Sequence, residues 1–564
     1  MRPATVSRLT MAVAALVCAL LALQPVTARA ASYTKISGGG STWSSNALDQ
    51  WRRNVAANSG MTVNYSPVGS SVGREQFKNG TADFAVSEIP YGLTESGMRD
   101  APPKRGYAYM PIVAGGTAFM YNLRIGGRKV TNLRLSGEVV TKIFTGALTM
   151  WNAPEIRADN PGLVLPARRI IPVVRSDGSG TTAQLTTWLA KEHGGLWDAY
   201  CRRAGRSTPC GMTSYFPVVP GSSTIAKSGS LGVSGYTKQG HAEGAITYVE
   251  YSYAIKTGFP VAKVLNASGY YVEPTASSVA VALMKARINE DKNSENYLTQ
   301  ILDGVYRSAD RRTYPLSSYS YMIVPTKAES PFTTTKGKTL GSFANYFLCE
   351  GQQQAEELGY SPLPKNLVEA GFTQVRRIPG APSADIDIKS CRNPTFSSDG
   401  SNTLARNAPY PKACDKRGTT QCADGTAGAK QQTRVNSGAD GGGSGGAAGG
   451  GSGGKGSAGG RGGAGTTGAS GGSAGTDGAS GGASGGGAAS GAVDPDTGEP
   501  IEGSAGGGDA SVVGNPVTLA AGGSPGLRGV LMALSAVLLL GVVVGPPLTA
   551  RALAARNRRK EGPR

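Results

Sequence analysis

The chain has 564 residues, 83 of them glycine and only two histidine, and a formal net charge of +19. Two histidines, and seven cysteines without a Cys-x-x-Cys pair, leave little from which to build a metal centre or a histidine-activated nucleophile. About +15 of the charge falls on residues 31–436 without any run of interleaved basic and aromatic residues, which argues against nucleic acid and for attraction of small anions or anionic wall polymers.

Taken in chain order, Arg2 and Arg8 precede an apolar run over 11–23, and Ala28-Arg29-Ala30 offers a small-x-small cleavage site, so residues 1–30 read as a secretory signal peptide. Cys18 leaves with the signal, and no lipobox-like cysteine follows the apolar run. Gly38-Gly39-Gly40-Ser41-Thr42-Trp43 then opens a helix whose apolar positions Ala47, Leu48, Trp51 and Val55 recur at helical spacing, with Ser44 or Ser45 as N-cap. Met61, Val63 and Tyr65 alternate like a half-buried strand, and Gly69-Ser70-Ser71-Val72-Gly73 leads into another short helix.

The most informative segment is Arg175-Ser176-Asp177-Gly178-Ser179-Gly180-Thr181-Thr182, between the apolar residues Ile170, Ile171, Val173 and Val174 and a helix-like run over 183–189. Glycines let the backbone approach a ligand, and the first-turn N–H groups and macrodipole of the helix favour an anion. Arg175 adds a charged fork, and Ser179 and Thr181 add hydroxyl donors. A plainer reading has Asp177 and Ser179 capping the helix and the glycines making a turn. None of the three Gly-rich loops carries the Gly-Lys-Ser/Thr ending of a nucleotide P-loop, which points to holding a small oxyanion rather than hydrolysing ATP.

After removal of the signal, Cys201, Cys210, Cys349, Cys391, Cys414 and Cys422 form an even set suited to an oxidising compartment. Cys201–Cys210 and Cys414–Cys422 are expected as local bridges and Cys349–Cys391 by default, although spacing leaves the connectivity open. Residues 393–436 read as a cysteine-containing extension. Residues 437–525 are dominated by Gly, Ala and Ser and are expected to be a disordered linker, since they bury too little apolar surface to offset ordering entropy. Residues 529–550 are uncharged and mostly apolar, long enough at about 1.5 Å per residue for a transmembrane helix. The basic tail 551–564 then lies in the cytoplasm and the rest of the chain outside. Leu519-Ala520-Ala521-Gly522-Gly523 before this run offers a second reading, sortase attachment to the wall, in which Gly522 stands where the signal has threonine.

Several of these segments, in order, resemble the phosphate-binding proteins of high-affinity phosphate ABC transporters, which are periplasmic-binding-protein-like receptors. The resemblance runs over about residues 37–375. It rests on the stretches 38–43, 69–71, 82–90 (Ala-Asp-Phe-Ala-Val-Ser-Glu-Ile-Pro), 144–151, 175–181, 244–254 and 314–318. It implies an α/β, two-lobe, type II binding-protein fold over 31–392 with the ligand cleft between lobes. Lobe one would combine 37–111 with 255–379, and lobe two would span 112–254. It further implies a phosphate shell of Thr42, Trp43 (amide), Ser70, Glu88, Arg175, Ser179, Gly180 and Thr181, with Asp177 holding the Arg175 guanidinium.

Glu88 departs from the family's usual aspartate, whose carboxylate accepts a hydrogen bond from a protonated phosphate oxygen; the alternative is that Glu88 turns aside into a salt bridge. The resemblance implies a monomeric, membrane-anchored extracellular receptor for inorganic phosphate that works with ABC permease subunits, uses no cofactor or metal and binds no nucleic acid. No enzymatic activity is expected, because no metal-ligand cluster and no histidine accompany these loops. A surface anion sensor uncoupled from transport is the alternative function.

Overall fold

A computed structural model describes residues 33–95, 98–294, 296–382, 388, 391–397 and 399–430. The segments expected to be a signal peptide (1–30) and a linker (437–525), the apolar run at 529–550 and the basic tail all lie outside the described residues. Among the described residues no helix is long and apolar enough to cross a membrane.

Nine strands carry the architecture: β1 (Ile36–Gly40), β2 (Val63–Ser66), β3 (Phe84–Ser87), β4 (Tyr107–Tyr121), β5 (Ile171–Arg175), β6 (Ile225–Lys227), β7 (Ala245–Glu250), β8 (Val261–Leu265) and β9 (Ser317–Pro325). The helices that bear on the site are α1 (Ser45–Ser59), α2 (Ser70–Lys78), α3 (Gly180–Glu192), α4 (Gly229–Thr237), α5 (Tyr251–Thr257) and α6 (Thr334–Leu348). The strands hydrogen-bond in the order β6-β5-β7-β4-β9-β3-β1-β2, and β8 also pairs with β4.

Two parallel α/β halves meet on β4. In one, β1 runs parallel to β2 and β3; in the other, β5 runs parallel to β6 and β7. Strand β4 is antiparallel to both of its long neighbours. It pairs with β9 from Tyr107 to Gly116 and with β7 from Thr117 to Tyr121, so a single 15-residue strand passes from one half into the other. Two apolar cores flank it. Trp51, Phe77, Phe84, Met110, Phe343 and Phe347 pack in the first, and Phe119, Phe144, Trp151, Trp197, Phe216 and Tyr248 in the second. The result is a two-lobe α/β fold. Beyond α5 the chain is shared between the two cores: β8 pairs with β4 at Met120 and Phe119, and Val264, Val272, Leu302, Val305, Tyr314 and Leu316 pack in the second, while Val279, Leu283 and Leu298 pack in the first.

The local periodicities have a visible outcome. Ala47, Leu48, Trp51 and Val55 form the buried face of α1, which starts after Ser44 and ends at Gly60 in the left-handed conformation that glycine adopts without strain. The six described cysteines pair as Cys201–Cys210, Cys349–Cys391 and Cys414–Cys422.

Candidate functional site

Every loop of interest follows the carboxyl end of a parallel strand, where open α/β sheets place their ligands. Ser41 to Trp43 leave β1, Glu88 leaves β3, the Arg175 loop leaves β5, and Gly229-Ser230 follow β6. The two halves bring these ends face to face.

On the first lobe, Glu88 is 2% exposed. Its carboxylate accepts from the Ser41 hydroxyl at 2.7 Å (Oε1) and 2.8 Å (Oε2), from the Ser70 hydroxyl at 3.0 Å (Oε2), and from the Ser320 hydroxyl on Oε1. Burial pushes this carboxyl above the usual carboxylate range, and the hydroxyls of Ser320, Ser41 and Ser70 pull it back by bonding the charged form. Serines, and no salt bridge among the described residues, engage the Glu88 side chain.

On the second lobe, Arg175 is 2% exposed. Its Nε donates to Asp177 Oδ1 at 2.7 Å and its Nη2 to Asp177 Oδ2, while Nη1 reaches Ser230 Oγ at 3.3 Å. Asp177 also accepts from the Gly229 amide at 2.9 Å. Burial pushes the Asp177 carboxyl up, but the Arg175 guanidinium outweighs it and holds the group below its ordinary range. Asp177 therefore orients the guanidinium and satisfies the first amide of α4, and it does not cap α3. Ser179 does cap: its Oγ accepts from the Thr182 amide at 3.2 Å at the start of α3. The backbone N–H of Arg175 donates to the Tyr248 hydroxyl at 3.2 Å, which in turn pairs with Thr182 Oγ1 at 2.8 Å. Burial pushes this phenol up to about 12, so it stays a neutral strut beneath the loop.

The lobes touch through these same groups. The Gly180 amide donates to Ser70 Oγ at 3.1 Å, and the Ser71 amide donates to the Gly178 carbonyl at 3.1 Å. The Gln184 side chain donates to the Glu88 carbonyl at 3.0 Å. The Thr42 and Ser230 hydroxyls pair at 2.7 Å, and the Ser230 amide donates to Thr42 Oγ1 at 3.2 Å. A Cβ on Gly180 would fall 1.8 Å from Glu88 Oε2, so only glycine allows this approach. Thr42, Ser70, Glu88, Arg175, Asp177 and Gly180 thus meet at one seam, with Ser179 and Thr181 on the loop and first turn that carry Gly180. The Thr181 hydroxyl is buried with no hydrogen-bond partner among the described residues. The Trp43 amide is held locally by Ser41 Oγ at 3.0 Å, and its carbonyl accepts from Tyr360 at 2.6 Å.

Sequence reasoning passed over Ser41, Ser230 and Ser320, which touch Glu88, Arg175 or Thr42 directly. Ser41 sits in a Gly-rich loop and Ser230 follows Ser228-Gly229 at a helix start, signals of the kind used elsewhere; nothing local marks Ser320.

A bilobed receptor of solutes is the class these features define, and the comparisons with known proteins agree. The family model described as PBP superfamily domain matches residues 25–350. The phosphate-binding protein PstS of Xylella fastidiosa is 30% identical over 345 residues, covering 61% of this chain and 86% of its own length. PstS of Haemophilus influenzae is 28% identical over 338 residues, 60% of this chain and 91% of that protein. A solved phosphate-binding protein from Stenotrophomonas maltophilia aligns with a TM-score of 0.43 and 16% identity, over 65% of this chain and 99% of that one. The chain belongs to the PBP superfamily and, within it, to the family of PstS phosphate-binding proteins.

Proposed function

We propose that this protein is an exported, membrane-tethered receptor that captures inorganic phosphate and presents it to an ABC-type permease. One arrangement carries the reading: a buried guanidinium locked by Asp177, the N-terminus of α3 and a buried carboxylate face one another across the seam between two lobes. Related proteins carry the name phosphate-binding protein.

The chemistry follows from charge and protons. Arg175 and the first-turn amides of α3 supply donors to a tetrahedral anion, each charged hydrogen bond contributing about 1.5–3 kcal/mol. The hydroxyls of Thr42, Ser70, Ser179 and Thr181 complete the shell. Glu88 is the one acceptor. It finds a proton on phosphate and only lone pairs on sulfate, so fully deprotonated tetrahedral anions are repelled. A ligand bonded to both lobes stabilises the closed form by its differential affinity, and that shape is what a permease distinguishes.

Calorimetry on the purified protein tests this. Phosphate is expected to bind, with sulfate at least about tenfold weaker; equal heats for the two anions would reject the role of Glu88, and no heat with phosphate would reject the receptor. Co-purification of the protein with membrane permease subunits tests the coupling to transport.

A further inference from the structure

Glu88 sits in a clamp of three serines whose hydroxyl directions are not equally free. The Ser41 oxygen accepts the Trp43 amide at 3.0 Å, so its proton is left to point at Glu88. The Ser70 oxygen accepts the Gly180 amide at 3.1 Å, so its proton is directed to Glu88 as well. Ser320 is different: among the described residues the sole hydrogen-bond partner of its hydroxyl is Glu88 Oε1. A hydroxyl carries one proton and two acceptor sites; Ser41 and Ser70 each give one acceptor site to a backbone amide, whereas the Ser320 hydroxyl is held by Glu88 alone among the described residues.

The backbone is built to deliver that hydroxyl. Strand β9 is buried along its whole length. It pairs antiparallel with β3, Tyr321 opposite Ser87, and one step further in the same register Ser320 lies opposite Glu88. On its other side the pairing with β4 is irregular between Ser320 and Tyr321, whose partners are Val113 and Pro111. The extra residue, Ile112, is on β4, and irregularities of this kind are frequent next to functional sites.

We propose that Ser320 is a specificity-determining positioning residue: by donating to Oε1 it keeps Glu88 a charged acceptor toward the cleft, and so sets the preference for anions that carry a proton. This rests on the reading of the site as a phosphate receptor. Among the described residues, the titratable groups whose shifts involve Glu88 are the phenols of Tyr65 and Tyr321, both kept neutral by burial. Across the seam α3 offers Gly180 and the uncharged Gln184, and the Arg175 fork is committed to Asp177.

Two readouts on the full chain test the proposal. In Ser320→Ala, calorimetry is expected to show the phosphate-over-sulfate ratio at neutral pH falling at least about tenfold, with Ser320→Thr, which keeps the hydroxyl, restoring it. Independently of any anion, infrared spectroscopy of the ligand-free protein is expected to show the protonated Glu88 carboxyl, assigned by its loss in Glu88→Gln, persisting to higher pH in Ser320→Ala than in the unmodified protein. Ser320→Ala protein that melts like the unmodified one, with the ratio and the carboxyl titration both unchanged, overturns the proposal. A shifted carboxyl titration in a protein whose unmodified form binds no phosphate would leave Ser320 its hold on Glu88 and remove the receptor reading alone.

Discussion

Gly180 is where a single hydrogen separates a working seam from a jammed one. A methyl there would lie 1.8 Å from Glu88 Oε2 and 2.6 Å from Ser70 Oγ. Glu88 is hemmed in by three serines and has nowhere to retreat, so Gly180→Ala is expected to hold the lobes apart and weaken phosphate binding at least about a hundredfold, some 2.7 kcal/mol, as read by calorimetry. An unaltered affinity would mean that closure does not bring these groups together. Arg175→Ala removes the guanidinium and leaves Asp177 buried without its partner; a loss of at least about 1.5–3 kcal/mol of binding is expected, and unchanged binding would take Arg175 out of the site.

The two carboxyls respond to pH in opposite senses. Asp177 is held below its unfolded value by Arg175, so their pairing adds stability that is fully present above that unfolded value and is lost as the pH falls through the lower folded one. Glu88 is raised by burial, so the folded protein holds its proton more tightly. Stability of the ligand-free protein therefore declines as the pH rises from the unfolded value through the raised one. Acidification through that window also turns Glu88 from acceptor to donor, and the phosphate-over-sulfate ratio is expected to fall with it. Titration calorimetry at a series of pH values checks this; a flat ratio would place selectivity elsewhere.

At the scale of elements, closure has a second set of contacts beside the ligand loops, where the Ser214 carbonyl accepts the Ser179 amide at 2.9 Å. Glu95 belongs to the Thr94–Glu95 and Met98–Arg99 hairpin, and its carboxylate accepts from the Ser214 amide at 2.5 Å, the Tyr215 amide at 3.1 Å, and the hydroxyls of Thr213 at 2.6 Å and Ser214 at 2.7 Å. The hairpin leaves from the first lobe and Thr213 is bonded to Thr186 of α3 on the second, so the group is a latch across the seam. Charge-assisted bonds to backbone amides are the strong kind. Glu95→Ala is expected to raise the dissociation constant of phosphate about tenfold by costing the closed form roughly 1.4 kcal/mol, with the phosphate-over-sulfate ratio unmoved. A changed ratio would show that Glu95 reaches the anion itself.

What the sequence made legible at this scale was local. Glycine and hydroxyl loops at strand ends and the 47, 48, 51 and 55 stripe of α1 reflect interactions within a few residues, and short spacing favoured Cys201–Cys210 and Cys414–Cys422. Ser320 was not legible. It meets Glu88 across 232 residues of chain, and only the register of β9 against β3 joins them. The division of residues 261–316 between the two cores was hidden for the same reason, because strand pairing, not composition, decides which core a short segment joins.

Across the whole molecule, the segment after Cys391 works as a strap that joins both cores. It starts on the first, where Asn393 and Thr395 donate to the Leu363 carbonyl at 3.0 and 2.9 Å and Cys391 is bridged to Cys349. It passes Arg312, which donates to the Ala405 carbonyl at 3.0 Å. It ends on the second, where the buried Arg134 donates to the carbonyls of Cys414 at 2.9 Å and Thr419 at 2.7 Å and Thr426 brackets Val261. Lys263 is the exposed flank of nothing: its ammonium meets Asp415 at 2.8 Å with the two side chains 12% and 8% exposed. Removing one member of such a pair leaves the other charge buried and unmatched, at a cost of about 3–5 kcal/mol.

Asp415→Ala is therefore expected to lower the urea midpoint of unfolding by the equivalent of that amount, although the residue is far in sequence from every ligand loop. Opening Cys349–Cys391, which closes a separation of 42 residues, is expected to cost on the order of 4 kcal/mol by the chain-entropy relation. The two losses arise at opposite ends of the strap, on different cores, and share no partner, so they are expected to add in the double variant. Additivity within a few tenths of a kcal/mol would identify the strap as two independent moorings. A double variant no less stable than the worse single one would mean instead that the strap detaches as one piece once either end is cut.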